Sequence, residues 1–192
     1  MLNASKKALI FLATALMLTL SWSIANASER AMLFEALSSA TDAKEGRAAE
    51  EAVWEYWFAQ SPTAEIRSQL DAGIERREAY DYEAAEAFLT EVVNAAPDYA
   101  EGHNQRAFVR FLRENYSEAQ TDLERALELE PTHFGALSGL YHILSIQNRQ
   151  DAAFGFLQKA VSIHPWLRER SALPESMWPE SYRDIHQSNE EI

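Results

Sequence analysis

Residues 118–131 read Glu118-Ala119-Gln120-Thr121-Asp122-Leu123-Glu124-Arg125-Ala126-Leu127-Glu128-Leu129-Glu130-Pro131. Leu123, Leu127 and Leu129 keep one apolar stripe, and Glu118, Asp122, Glu124, Arg125 and Glu128 occupy the other faces. That is the pattern of a surface helix, here closed by a proline. The stretch recurs on both sides at a spacing of 34 residues. Pro97, Pro131 and Pro165 are in step, and with them Ala85, Ala119 and Ala153; Leu89, Leu123 and Leu157; Val92, Ala126 and Ala160; and Val93, Leu127 and Val161. One repeated proline spacing is a coincidence, whereas five registers in phase mark helical hairpins stacked in tandem.

The period and the residue types resemble the tetratricopeptide repeat (TPR), a helix-turn-helix unit with a small residue in each helix and a closing proline. The resemblance runs from about Thr63 to Pro165 and is strongest in the middle repeat, where Ala107, Tyr116, Ala119, Ala126 and Pro131 fall on the pattern. The segments Asn104-Gln105-Arg106-Ala107 and His133-Phe134-Gly135-Ala136-Leu137-Ser138-Gly139 look like exported TPR proteins of Gram-negative bacteria, a likeness that carries no assigned activity. The resemblance implies an all-α protein, an α-α solenoid of three TPR hairpins over 63–165 (about 66–99, 100–133 and 134–165). A degenerate leading helical hairpin, 28–62, should cover the open end of the stack. The aromatic and proline-rich tail, 166–192, should drape over the last hairpin, with disorder expected at 187–192.

Lys6 and Lys7, the apolar run Ala8 to Leu20 and the small-x-small site Ala25-Asn26-Ala27 read as a signal peptide over 1–27, cleaved after Ala27. The expected address is the periplasm, with no membrane attachment after cleavage. The chain carries 30 acidic and 17 basic residues, a net charge of −13, and loss of the two lysines takes it to −15. Phosphate binding needs a basic patch, so nucleic acid is excluded as the expected partner. There is no cysteine, so packing alone must hold the fold, and no lipid-modified cysteine follows the signal.

Two helical segments precede the repeats, one with Met32, Leu33, Phe34 and Leu37, the other with Ala49, Val53, Trp54, Trp57 and Phe58. Ser61-Pro62-Thr63 should cap the next helix, and Asp98 with Glu101, like Ser117 with Gln120, has capping-box spacing. Tyr141 takes the place of Gly73 and Ala107, where a ring should push paired helices apart, and Gly155 adds a helix cost of about 1 kcal/mol.

His103, His133, His142, His164 and His186 include no pair three or four apart, so the reading is no metal and no cofactor. Glu130 and His133 have a Glu-x-x-His spacing, but Pro131 between them makes them turn residues. No nucleophile elbow or phosphate loop is present, and the chain is read as non-enzymatic. Arg106, Arg110 and Arg113 share a helical spacing, and their heads should reach Glu118 or Asp122.

In TPR arrays the first helix of each hairpin lines the concave surface. The resemblance carries that role to Leu70, Ile74 and Arg77, to Asn104, Gln105, Phe108, Phe111 and Leu112, and to Ser138 and His142. Phe108 and Phe111 are the candidate anchors. The constellation that clamps a chaperone carboxylate is absent, since Leu70, Ile74, Gln105, Gly135 and Gly139 stand at its places. The expected partner is a protein or peptide, held as an extended segment or amphipathic helix. The alternative is a structural subunit of a larger cell-envelope assembly, which a constitutive oligomeric mass would distinguish.

Overall fold

The computed structural model describes residues 26–180 together with 182 and 183. Most of the signal segment, the His186 position and the end of the tail lie outside them. The described chain is helical over 26–39 (α1) and then forms α2 (Ala43–Ala59), α3 (Ala64–Glu78), α4 (Tyr82–Ala95), α5 (Ala100–Leu112), α6 (Tyr116–Leu129), α7 (Phe134–Ile146) and α8 (Gln150–Ile163). Two short 3-10 turns follow, Arg168–Ala172 and Glu175–Met177, and no strand occurs among the described residues.

The prolines act through the residue before them. Ala96, Glu130 and His164 have φ/ψ of −136/70, −134/90 and −127/86, outside the helical region that a following proline disfavours. Helices α4, α6 and α8 therefore stop one residue earlier. At the other end of each hairpin Tyr80, Glu114 and Asn148, again 34 apart, adopt positive φ of 61, 64 and 59°. The next amide in each case reaches back to the helix, from Asp81 to Arg76, Asn115 to Arg110 and Arg149 to Leu144, all at 2.9 Å. These are Schellman closures that satisfy carbonyls orphaned at the helix end. Helices α5 and α7 start at 100 and 134, and the first 3-10 turn starts at 168 in the same register. Pro174 and Pro179 end any fourth repeat there.

The three hairpins α3/α4, α5/α6 and α7/α8 each pack closely and stack on their neighbours. Thr63 caps α3, its hydroxyl accepting the Ile66 amide at 3.2 Å. The two capping boxes do not form. Tyr99 holds the cap position of α5 without a side-chain bond, Asp98 pairs with Arg125 at 2.8 Å, and Glu101 is buried at 1 % exposure. Ser117 lies inside α6, and Gln120 bonds Glu124 instead. Tyr141 does not separate α7 from α8: its ring lies over Phe154 at the hairpin's edge, with centroids 6.5 Å apart and planes at 19°. A Cβ on Gly155 would meet nothing within 4 Å.

The leading pair departs most from expectation, because only the end of α2, through Phe58, reaches the first repeat's core. Leu37, Val53 and Trp57 are buried with Phe134, Leu137 and Leu157 of the third repeat and with Leu167, Leu173 and Tyr182 of the tail. Helix α2 lies along the turns that join the repeats and touches each in order. The Tyr99 hydroxyl donates to the Trp57 and Phe58 carbonyls at 3.2 Å, Trp57 stacks on His133 with centroids 3.9 Å apart, and Trp166 Nε1 donates to the Ala40 carbonyl at 2.8 Å. Two glycines make the close approach possible. A Cβ at Gly135 would fall 2.5 Å from Trp54 Cη2, and one at Gly46 would fall 2.6 Å from the Trp166 side chain.

The outer face of α3 presents exposed Glu65, Ser68, Asp71 and Glu75 and offers no bed for two tryptophans. The Phe134 end of the array does. Each large apolar side chain buried there contributes about 1.5–3 kcal/mol. Over its described part the tail packs on the last hairpin, with the Gln158 amide donating to the Met177 carbonyl at 2.7 Å, Leu173 and Tyr182 buried with Leu157, and Trp178 edge-on to Tyr182 at 5.0 Å.

Candidate functional site

Asn104, Gln105, Phe108 and Phe111 fall at helical spacing on one face of α5, and they form the floor of a cavity of about 630 Å³ on the concave side. Arg77 of α3 closes one end, and Ser138 and His142 of α7 form the opposite wall. Seven of the ten residues assigned from the repeat register therefore meet around one space. Phe108 is 47 % exposed, with the Arg77 guanidinium 4.8 Å above its ring. Phe111 is half-buried, edge-on to Tyr116 at 5.6 Å, with His142 at 6.3 Å.

The other three assignments are corrected. Leu70 is fully buried in the first repeat's core, and Ile74 packs against that core, because Phe58 of α2 and Tyr99 cover this end of the array. Leu112 sits at the C-terminal end of α5 and does not line the cavity. The repeat register also could not supply the remaining wall. Trp54 and Phe58 come from α2, Phe134 from the start of α7, and Trp166, Arg168 and Arg170 from the tail.

A buried polar relay supports the floor. Arg77 donates to Gln105 Oε1, Gln105 Nε2 donates to Glu101 at 2.6 Å, and His133 Nε2 lies 2.9 Å from Glu101. His133 Nδ1 accepts the Ala136 amide at 3.2 Å as the cap of α7, so the imidazole proton sits on Nε2 and is donated to Glu101. Glu101 thus gathers donors from Asn104, Gln105 and His133, as a buried carboxylate requires.

A second network holds α5 to α6 and α4. Arg106 grips Asp122 at 2.7 and 2.8 Å, Arg110 bridges Asp122 at 2.8 Å and Glu86 at 2.9 Å, and Arg113 also reaches Glu86. Asp122 was the expected partner, whereas Glu118 contributes only a backbone carbonyl and Glu86 was not foreseen. Burial pushes the Asp122 carboxyl up, but His103, Arg106 and Arg110 outweigh it and hold its pKa below the usual range.

Among the described residues no group of three or more histidines, aspartates or glutamates is placed to hold a metal. His103 Nε2 lies 3.0 Å from the Pro97 carbonyl, and His142 lies 3.2 Å from Glu169. His164 is fully buried, with Nε2 3.3 Å from Glu50 but not aligned for a hydrogen bond. Glu50 and Glu169 are both held below the ordinary carboxylate range, foremost by these two histidines, and remain ionised at the cavity wall.

A family profile described as "Tetratricopeptide repeat" matches residues 100–133. A TPR repeat-containing protein of Rhizobium etli is 40 % identical over 82 residues, covering 43 % of this chain and 40 % of that protein. The chain thus spans about two fifths of the length of this curated relative. Among solved structures, the first TPR of Spaghetti bound to an HSP90 peptide superposes with a TM-score of 0.54 at 17 % identity, covering 64 % of this chain and 91 % of the other. The Sgt2 TPR domain of Aspergillus fumigatus superposes at 0.52 and 19 % identity, covering 68 % and 83 %. Three hairpins in 34-residue register, closed by Pro97, Pro131 and Pro165, give this chain the fold of tetratricopeptide-repeat domains, and its central repeat matches the profile of that family.

Proposed function

We propose that the chain is a non-enzymatic periplasmic interaction module that holds a peptide segment, extended or as the end of an amphipathic helix, of a cell-envelope protein in the cavity above α5. The observation that carries the reading is Phe108. A phenylalanine 47 % exposed, with Trp54, Phe58, Phe111 and Phe134 around the same space, is an anchor pocket awaiting an apolar side chain. The volume of about 630 Å³ lies within the range of sites that bury a small ligand or a few residues. The likeness to the Spaghetti TPR, solved with an HSP90 peptide, supports a peptide as the occupant, and the reading of residues 1–27 as an export signal supports the periplasm.

Peptides selected from a displayed random library against the full chain should lose binding to a Phe108→Ala, Phe111→Ala double variant that retains the parental melting temperature. Unchanged affinity in that variant overturns the cavity as the site. Fractionation of the source cells should recover the chain in the periplasm with Ser28 as its first residue, and a cytoplasmic product starting at Met1 overturns the address.

A further inference from the structure

The cavity carries a charge opposite to that of the molecule. The chain's net charge is −13, yet Arg47, Arg77, Arg168 and Arg170 line the cavity against only two acids, Glu50 and Glu169. Each acid has a histidine beside it: His142 Nε2 is hydrogen-bonded to Glu169 at 3.2 Å, and His164 Nε2 lies 3.3 Å from Glu50. The arginines are less committed. Elsewhere Arg30, Arg67, Arg106, Arg110 and Arg125 each sit within 2.9 Å of a carboxylate. Among the described residues Arg47, Arg168 and Arg170 have no carboxylate within 4.0 Å, although acids outnumber bases 30 to 17 along the chain and Arg168 is near enough for its charge to act on Glu50. The Arg170 guanidinium is nevertheless held in place, 5.3 Å from the Trp166 ring centroid, with Nη1 donating to the Trp166 and Leu167 carbonyls at 3.2 and 3.1 Å. Cations left unpaired beside low-dielectric aromatic walls focus positive potential into the cavity.

We propose that the cavity selects a short acidic peptide segment in which an aromatic or aliphatic side chain is flanked by aspartate or glutamate. The apolar side chain packs on Phe108, Phe111 and Trp54, and the flanking carboxylates face Arg47, Arg168 and Arg170. This deepens the proposed function and rests on it. The selectivity does not come from the repeats, because Arg47 belongs to α2 and Arg168 and Arg170 belong to the tail. Nucleic acid and anionic membranes carry extended charge that a molecule of −13 repels over its whole surface, whereas a few carboxylates reach the local positive field within a Debye length.

The test takes a peptide selected by the full-length chain and compares three synthetic forms by calorimetry at low and high salt: acids kept, acids replaced by asparagine and glutamine, and acids replaced by lysine. The acidic form should bind about tenfold more tightly than the amide form and weaken with salt, and Arg47→Glu with Arg168→Glu should remove that advantage. Both positions are exposed, and an unchanged melting temperature will show that the fold is kept. If the amide form binds equally well, or the lysine form binds better, the acidic preference is wrong while the peptide cavity stands. If no peptide is selected, or Phe108→Ala leaves all binding intact, both readings fall. Tighter binding of a single-stranded oligonucleotide or of vesicles containing anionic lipid also overturns the proposal.

Discussion

His133 joins three parts of the molecule through one imidazole: Nδ1 caps α7, Nε2 meets Glu101 of α5, and the ring face stacks on Trp57 of α2. His133→Ala removes the cap and the stack and leaves Glu101 buried with one donor fewer. The expected loss is about 3 kcal/mol in urea denaturation, and a loss under about 1 kcal/mol would show that this junction is not structural. Glu114 is the opposite case. It is exposed and sits at φ 64°, a conformation that costs a non-glycine residue about 1–2 kcal/mol. Part of that returns through the extra freedom glycine has when unfolded, so Glu114→Gly should stabilise by about 0.5–1 kcal/mol. A destabilised variant would contradict the Schellman closure.

At the scale of elements, the Arg30–Glu130 ion pair and two close-approach glycines add to the hydrogen bonds and ring contacts that hold the leading pair to the inter-repeat turns. Arg30 meets Glu130 at 2.7 Å, and although burial alone would raise the Glu130 pKa, the bonds from Arg30 and Thr132 bring it below the ordinary 4.5. A carboxylate whose folded pKa is lowered adds stability that is complete above the unfolded value and is lost as pH falls through the folded one. Glu50, Asp122 and Glu169 have the same sign. The melting temperature should therefore fall between about pH 5 and pH 3, and Glu130→Gln should flatten that fall while lowering the value at pH 7. A melting temperature constant over that range would remove the argument. The three repeats were legible in sequence because proline and small-residue positions act locally, each fixing a turn or a close approach within its own hairpin. The floor of the cavity followed from the same register. The placement of α1 and α2 was not legible, since nothing in Trp54 or Trp57 says which of several apolar beds will receive them. Arg47, Arg168 and Arg170 were missed as site residues for the same reason: they reach the cavity only through long-range docking of segments outside the repeats.

For the whole molecule, the course of α2 changes how the array should unfold. In a simple solenoid each repeat touches only its neighbours, and end repeats fray independently. Here α2 bonds the turn after Pro97, stacks on the turn after Pro131 and, with Ala40 just before it, meets the turn after Pro165, so all three hairpins share one brace. Opening the third repeat must expose Leu37, Val53 and Trp57 as well as its own core. Unfolding should be a single transition, with far-ultraviolet circular dichroism and tryptophan fluorescence superimposable in urea. The substitution that isolates the brace is Gly135→Val, because even a Cβ at that position falls 2.5 Å from Trp54 Cη2, so the indole must leave its place against α7 and the hold of α2 there is weakened. In that variant the fluorescence transition should come first, as Trp54 and Trp57 are released, and the helical signal of the repeats should persist to higher urea. Coincident transitions in Gly135→Val would mean that the repeats couple to one another without the brace, and separate transitions in the parent would mean that the brace does not couple them.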